Sequence, residues 1–155
     1  TEIYTLSLHD ALPISARDRG ARVDGIHLGQ SDLPVDAARA LLGADALVGW
    51  TANTPSHLAA AAALPKGTVD YLGVGGIRAT ATKPDHPQPL GVAGFAELAA
   101  STDLPCVAIG GIDVDDVTAL RAAGAAGVAV VSAVCAADDP GAAVGALTAA
   151  WGAGA

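Results

Sequence analysis

The stretch CVAIGGIDVDDVTALRAAGAAGVAVVS, residues 106–132, decides the fold. It opens on an apolar run of strand length and turns on Gly110-Gly111. Asp113 then stands before an Ala/Leu-rich segment, 114–123, whose apolar residues recur at helical spacing. A second apolar run, 127–131, follows and ends at Ser132. Strand, helix, strand in so few residues demands a parallel pair, because a short hairpin cannot join parallel strands and a crossover helix can.

The same unit recurs outward along the chain. Apolar runs occur at 24–28, 46–50 and 69–74, and segments with helical spacing at 35–42, 55–64, 92–100 and 142–151. Asp32-Leu33-Pro34, Thr54-Pro55 and Asp113 supply start signals, since a side-chain oxygen caps orphan N–H groups and Pro fits the first turn. Strand centres near 26, 48, 71, 107 and 129 are spaced by 22, 23, 36 and 22, so the third connection is long. Continuous apolar strands alternating with helices imply a parallel sheet, either doubly wound or a (β/α) barrel. Each strand is followed by a polar or Gly-rich segment: Gly29-Gln30-Ser31-Asp32, Thr51-Ala52-Asn53, Gly75-Gly76, Gly110-Gly111 and Ser132. No such pattern marks the other strand ends, an asymmetry that favours a barrel with its site at the carboxyl ends.

Composition limits the partners. Eight Lys and Arg against 16 Asp and Glu give a net charge of −8, which argues against an extended nucleic-acid surface. No apolar run reaches the roughly 20 residues a bilayer span needs; a cytoplasmic protein with small-molecule partners is expected, as a monomer or a homo-oligomer. Cys106 and Cys135 are far apart in apolar segments and are expected to be buried free thiols. The four His show no metal-ligand spacing, and His27 reads as a satisfied histidine within a strand. The chain has no P-loop, no GxGxxG and no Ser-centred nucleophile elbow.

Phosphate chemistry fits what remains. Gly110 and Gly111 allow close backbone approach to an anion and Ser132 adds a hydroxyl, although Gly-Gly also serves as a turn into the Asp113 helix. Asp32, past its strand, is placed to take Mg²⁺ directly or through water; capping the next helix is its competing role. In GVGGIRATATKPD, residues 73–85, a Gly-punctuated apolar run breaks into Thr80, Thr82 and Lys83. Two hydroxyls and a compact cation suit a diphosphate or a phosphate leaving group, against the alternative of a solvated surface Lys.

Five strings, DGIHLGQSDLPVDAAR, VGWT, DYLGVGGIRATATKPD, PCVAIGGI and GAAGVAVVSAV, occur in this order. Together they resemble thiamine phosphate synthase, from about Ala21 to about Asp139. The resemblance implies a (β/α)₈ TIM-type barrel, here incomplete, with five βα units and the first strands missing. It implies a transferase of thiamine biosynthesis that joins hydroxymethylpyrimidine diphosphate to thiazole phosphate and releases pyrophosphate with Mg²⁺. Carried onto matching positions, Asp32 is a Mg²⁺ ligand, Thr51 meets the pyrimidine diphosphate and Lys83 holds the leaving diphosphate. Thr80 and Thr82 take the thiazole phosphate, with Gly110, Gly111, Val131 and Ser132 forming its cup.

The sequence departs from that family in two places. Gly76 stands where the family usually has Pro. A Gln-x-Arg-x-Lys motif and an Asn-Asp-Arg motif are absent upstream; the second Mg²⁺ aspartate falls about 19 residues before Asp32, where this chain has Pro13. Residues 1–15 differ in composition and read as a non-native or junction segment ahead of a partial barrel domain, 16–155. A truncated, inactive fragment is therefore among the expectations. The rival functions are a thiazole tautomerase-like protein and a phosphate-binding remnant without turnover.

Overall fold

The computed structural model describes residues 19–20, 22–79 and 88–153. Among them, strands β1 (Gly25–Leu28), β2 (Leu47–Thr51), β3 (Tyr71–Gly75), β4 (Cys106–Ile109) and β5 (Gly127–Ala129) form one sheet. Helices α1 (Val35–Leu42), α2 (Pro55–Ala62), α3 (Gly91–Ala99) and α4 (Val114–Ala122) connect them, and α5 (Ser132–Cys135) and α6 (Pro140–Ala153) follow.

Every neighbouring pair is parallel, and the strand order is the chain order, β1-β2-β3-β4-β5. A doubly wound sheet reverses its strand order at a switch point; a barrel never does. The order therefore selects the TIM-barrel type of α/β fold over its rival.

Register divides the sheet into two unlike faces. One carries the rows Ile26 and Val48; Leu28, Trp50, Leu72 and Cys106; and Val74, Ala108 and Val128. Ile26, Leu28, Val48, Leu72, Val74, Cys106 and Ala108 are buried in the main core. The helices cover them with residues one or two turns apart: Val35, Ala38 and Leu42 on α1, Leu58 and Ala61 on α2, Phe95 and Leu98 on α3, Val117 and Leu120 on α4. The opposite face carries His27, Gly49 and Tyr71 in one row, then Thr51, Gly73, Val107 and Gly127 in the next. Its polar side chains, His27, Tyr71 and Thr51, gather on β1 to β3 beside Gly49 and Gly73, while Val107 and Ile109 make the β4 part aliphatic.

Local signals explain most boundaries. Thr54 caps α2 by accepting from the His57 N–H, with Pro55 in the first turn. Asp113 and Asp116 form a reciprocal capping box on α4. The first start signal works differently from expectation: Pro34 is the N-cap of α1, with no side-chain cap bond. Asp32, two residues upstream, turns back, and its Oδ2 accepts from the Gly29 N–H at 2.6 Å.

The final βα unit also differs. β5 ends at Ala129, so Val131 and Ser132 lie beyond it, Val131 as the N-cap of α5 and Ser132 as its first residue. No residue of α5 is buried, which leaves Cys135 exposed, while Cys106 is buried as expected. The cause is position: β5 has one neighbour in the described sheet, so the segment after it has less sheet to pack against. Helix α6 is held to α4 by polar contacts, with Thr118 Oγ1 donating to the Ala150 carbonyl at 3.2 Å and Arg121 donating to that of Trp151. The Arg121 guanidinium also lies 5.3 Å from the Trp151 ring centre.

At the amino ends of the strands, Arg39 acts as a clamp. It donates to Asp70 Oδ2 at 2.5 Å and to the carbonyls of Ala46 (2.5 Å), Gly43 (3.0 Å) and Thr68 (3.4 Å). Asp70 Oδ2 also accepts from the Val48 N–H at 2.7 Å, so one ion pair fixes α1, β2 and the entry to β3.

Candidate functional site

The described candidates from the sequence gather at the carboxyl ends of the strands. Asp32 follows β1, Thr51 closes β2, Gly110 and Gly111 follow β4, and Val131 and Ser132 follow β5. Thr80, Thr82 and Lys83 lie outside the described residues. The arrangement around Thr51 is the most developed.

His27 on β1 and Tyr71 on β3 occupy one lateral row with Gly49 of β2 between them. Strands lie roughly 4.8 Å apart, so these two Cα atoms are almost 10 Å from each other. Only long side chains can meet across that gap, and only if the middle residue contributes nothing. A Cβ on Gly49 would fall 2.2 Å from Tyr71 Cζ, and one on Gly73 would fall 2.6 Å from His27 Cε1. The two glycines thus vacate the space that the two rings fill. His27 Nδ1 lies 3.1 Å from Tyr71 Oη, and Nε2 lies 3.0 Å from Thr51 Oγ1. The ring centres of His27 and Tyr71 are 5.5 Å apart.

The electrostatics favour a neutral imidazole. One side of the His27 ring is open to solvent, yet the strands around it desolvate it enough to hold its pKa below the ordinary 6.5. The Asp32 carboxylate pulls the other way and does not overcome this. Desolvation also raises the Tyr71 phenol above its ordinary 10.0, so its proton stays on.

Side-chain amides brace the mouth. Gln30 donates to the Thr51 carbonyl, linking the β1 loop to the end of β2. Asn53 Oδ1 accepts from the Gly75 N–H at 3.2 Å, linking β2 to β3, and the Asn53 N–H donates to His57 Nδ1 at 3.2 Å. These ties fix the heights of three strand ends relative to one another.

The Gly110-Gly111 segment has positive φ at both residues, 93° and 67°. Its backbone packs on the segment after β3: the Ile77 N–H donates to the Ile109 carbonyl at 3.1 Å and the Arg78 N–H to that of Gly110 at 3.0 Å. A Cβ on Gly111 would stand 2.8 Å from the Arg78 carbonyl oxygen. Arg78 Nη2 is 2.7 Å from buried Asp116 Oδ1, an ion pair that raises the guanidinium pKa and ties this segment to the α4 capping box. A turn leading into the Asp113 helix is thus realised in the backbone.

Sequence reasoning assigned Thr51 and passed over its partners. His27 was read only as a satisfied strand histidine, and Tyr71, Gln30 and Asn53 carried no role. A signal existed: His27, Gly49 and Tyr71 are successively 22 residues apart, close to the spacing of the strand centres, so all three fall in one row. Among the described residues, no group of three or more His, Cys, Asp or Glu is placed to hold a metal. Asp32 offers a single carboxylate, with Oδ2 engaged by Gly29. That fits a cation such as Mg²⁺, which commonly takes one or two carboxylates and fills its shell with water and substrate phosphates.

Comparison with known proteins agrees with this frame. A thiamine-phosphate synthase of Albidiferax ferrireducens is 46% identical over 134 residues, covering 83% of this chain and 60% of the relative. That of Laribacter hongkongensis is 51% identical over 119 residues, covering 77% and 54%. The solved thiamine phosphate pyrophosphorylase from Pyrococcus furiosus superposes with a TM-score of 0.71 at 28% identity, over 92% of this chain and 73% of that one. The chain thus spans about three fifths of the length of the curated relatives it matches. The model of the thiamine monophosphate synthase family matches residues 6–134, and with these relatives it shows that the chain belongs to that family.

Proposed function

We propose that the protein catalyses, or forms the larger part of the site that catalyses, thiamine phosphate synthesis from hydroxymethylpyrimidine diphosphate and thiazole phosphate, with release of pyrophosphate. The observation that carries this is the alignment of Thr51, Asp32, Gly110 and Gly111 at one set of strand ends, in a chain of this family. In this reading the C–O bond to the diphosphate breaks, its electrons leave with pyrophosphate, and the thiazole nitrogen forms the new C–N bond to the pyrimidine methylene. The protein's task is to hold leaving-group charge while keeping the two rings in line.

Thr51 and Lys83 act on the diphosphate, Lys83 as the cation that stabilises it on departure. Mg²⁺, when bound, neutralises diphosphate oxygens, and Asp32 is the residue that would hold it. Thr80, Thr82, Gly110, Gly111, Val131 and Ser132 receive the thiazole phosphate. The partners are small molecules and the setting is cytoplasmic.

A coupling assay tests this reading. The purified chain is given both substrates and Mg²⁺, and thiamine phosphate is read by its oxidised fluorescence beside a Lys83→Ala control. Product that disappears in the control is the expected result. Heat protection by thiazole phosphate without product would instead support a binding remnant. Neither signal would sink both.

A further inference from the structure

The geometry points to Tyr71 and His27 as a positioning relay that holds the Thr51 hydroxyl as a hydrogen-bond donor toward the mouth of the lumen. The inference rests on the reading of Thr51 as a diphosphate ligand, and it assigns work to two residues that this reading leaves idle.

The two distances, 3.1 Å from Nδ1 to Tyr71 Oη and 3.0 Å from Nε2 to Thr51 Oγ1, admit two proton arrangements. In one, Thr51 donates to Nε2 and the Nδ1–H donates to Tyr71. The Thr51 hydrogen is then consumed, and the hydroxyl meets a ligand only as an acceptor, the wrong polarity for a phosphate oxygen. In the other, Tyr71 donates to Nδ1 and the Nε2–H donates to Thr51 Oγ1. The Thr51 oxygen is then satisfied as an acceptor and its hydrogen points onward.

Chemistry selects the second arrangement. A phenol is a stronger hydrogen-bond donor than an aliphatic alcohol, so of the two hydroxyls flanking the ring it is Tyr71 that gives its proton to the imidazole. The tautomer of a neutral imidazole follows from the bond its other nitrogen makes, and the Tyr71 bond places the proton on Nε2. Gln30, donating to the Thr51 carbonyl, fixes the backbone beneath the hydroxyl, so the relay need only set the rotor. Gly49 and Gly73 belong to the device, because a side chain at either would collide with one of its two rings.

Nitrogen-15 NMR of the ring-labelled chain at neutral pH tests the relay without turnover. His27 is expected as the Nε2–H tautomer, and Tyr71→Phe is expected to erode that preference. Calorimetry with inorganic pyrophosphate and Mg²⁺ tests the consequence. Tyr71→Phe should weaken pyrophosphate binding about three- to ten-fold, the range for one hydrogen bond. It should have no further effect in a Thr51→Val background, whereas a merely structural role for Tyr71 would add to Thr51→Val. An Nδ1–H tautomer in the unaltered chain, or additive losses in the double variant, would overturn the relay. If the Nε2–H tautomer is present and pyrophosphate fails to bind, the diphosphate reading of Thr51 is what falls, and the relay as a donor device falls with it.

Discussion

Replacing Gly75 by Ala should cost far more than adding a methyl group at Gly49 or Gly73 of the same luminal face. An ideal Cβ at Gly75 lies 1.8 Å from the Ile109 carbonyl oxygen, 2.7 Å from its carbon and 2.9 Å from Ile109 Cγ2. A carbon approaches a carbonyl oxygen no closer than about 3.3 Å, so β3 and β4 would have to part by about 1.5 Å at this end. Hydrogen bonds do not survive such a stretch. Those at risk are Ile77 N–H to the Ile109 carbonyl, at 3.1 Å, and Arg78 N–H to the Gly110 carbonyl, at 3.0 Å. Two weakened backbone bonds and the accompanying strain sum to about 3–5 kcal/mol, a large share of a typical domain stability of about 5–15 kcal/mol. In urea, with a slope of about 1–3 kcal/mol per molar, the unfolding midpoint should fall by about 2 M. Gly49→Ala is the matched control. Its Cβ meets the far end of the Tyr71 side chain, 2.2 Å from Cζ, which can swing aside at about 1 kcal/mol while breaking the contact with His27. An unchanged midpoint for Gly75→Ala, or equal losses for the two variants, would refute the reasoning.

Arg39→Ala removes a clamp whose side chain is only 15% exposed and strands Asp70 and the Ala46 carbonyl, so a loss of about 2–3 kcal/mol is expected by chemical denaturation. Arg39→Lys should recover less than half of it, since one ammonium cannot span the Asp70 carboxylate and the carbonyls of Gly43, Ala44, Ala46 and Thr68. The depressed pKa of His27 means that the unfolded chain binds its proton first as pH falls below the ordinary 6.5. The contribution of His27 is therefore full above that value and is lost through the folded pKa; His27→Gln should flatten urea stability between pH 7.5 and 5.5, with Tyr71 and Asp32 still facing the site. Ellman's reagent should titrate one thiol at once, exposed Cys135. Buried Cys106, whose pKa burial raises, should react only on unfolding.

Much of the architecture was legible because it depends on local or periodic features. The strand Cys106–Ile109 and the helix Val35–Leu42 match their expected spans, since an apolar run bounded by Gly and an amphipathic period are properties of the segment itself. Thr54 and Asp113 cap as expected because their targets lie within three residues. The competing role of Asp32, capping the first helix, is not realised, because its distance from the first helical N–H depends on how the chain turns before Pro34. The segment after Ala129 was misread because Val130 and Val131 continue an apolar run, and only the packing available beside β5 ends the strand.

Alone, then, the sequence determined the alternation of elements, the polar character of the strand ends and the family motifs, all carried by residue type and short-range spacing. Tertiary structure decided three things. It confirmed in the strand order the barrel that the strand-end asymmetry favoured over the doubly wound sheet, since strand order is a fact about neighbours distant in the chain. It joined His27, Tyr71 and Thr51, since hydrogen bonds between residues 24 and 44 positions apart exist only once register brings their strands level. It also made Gly49 and Gly73 essential to that contact, because the need for an empty position arises only when a ring from another strand must occupy it.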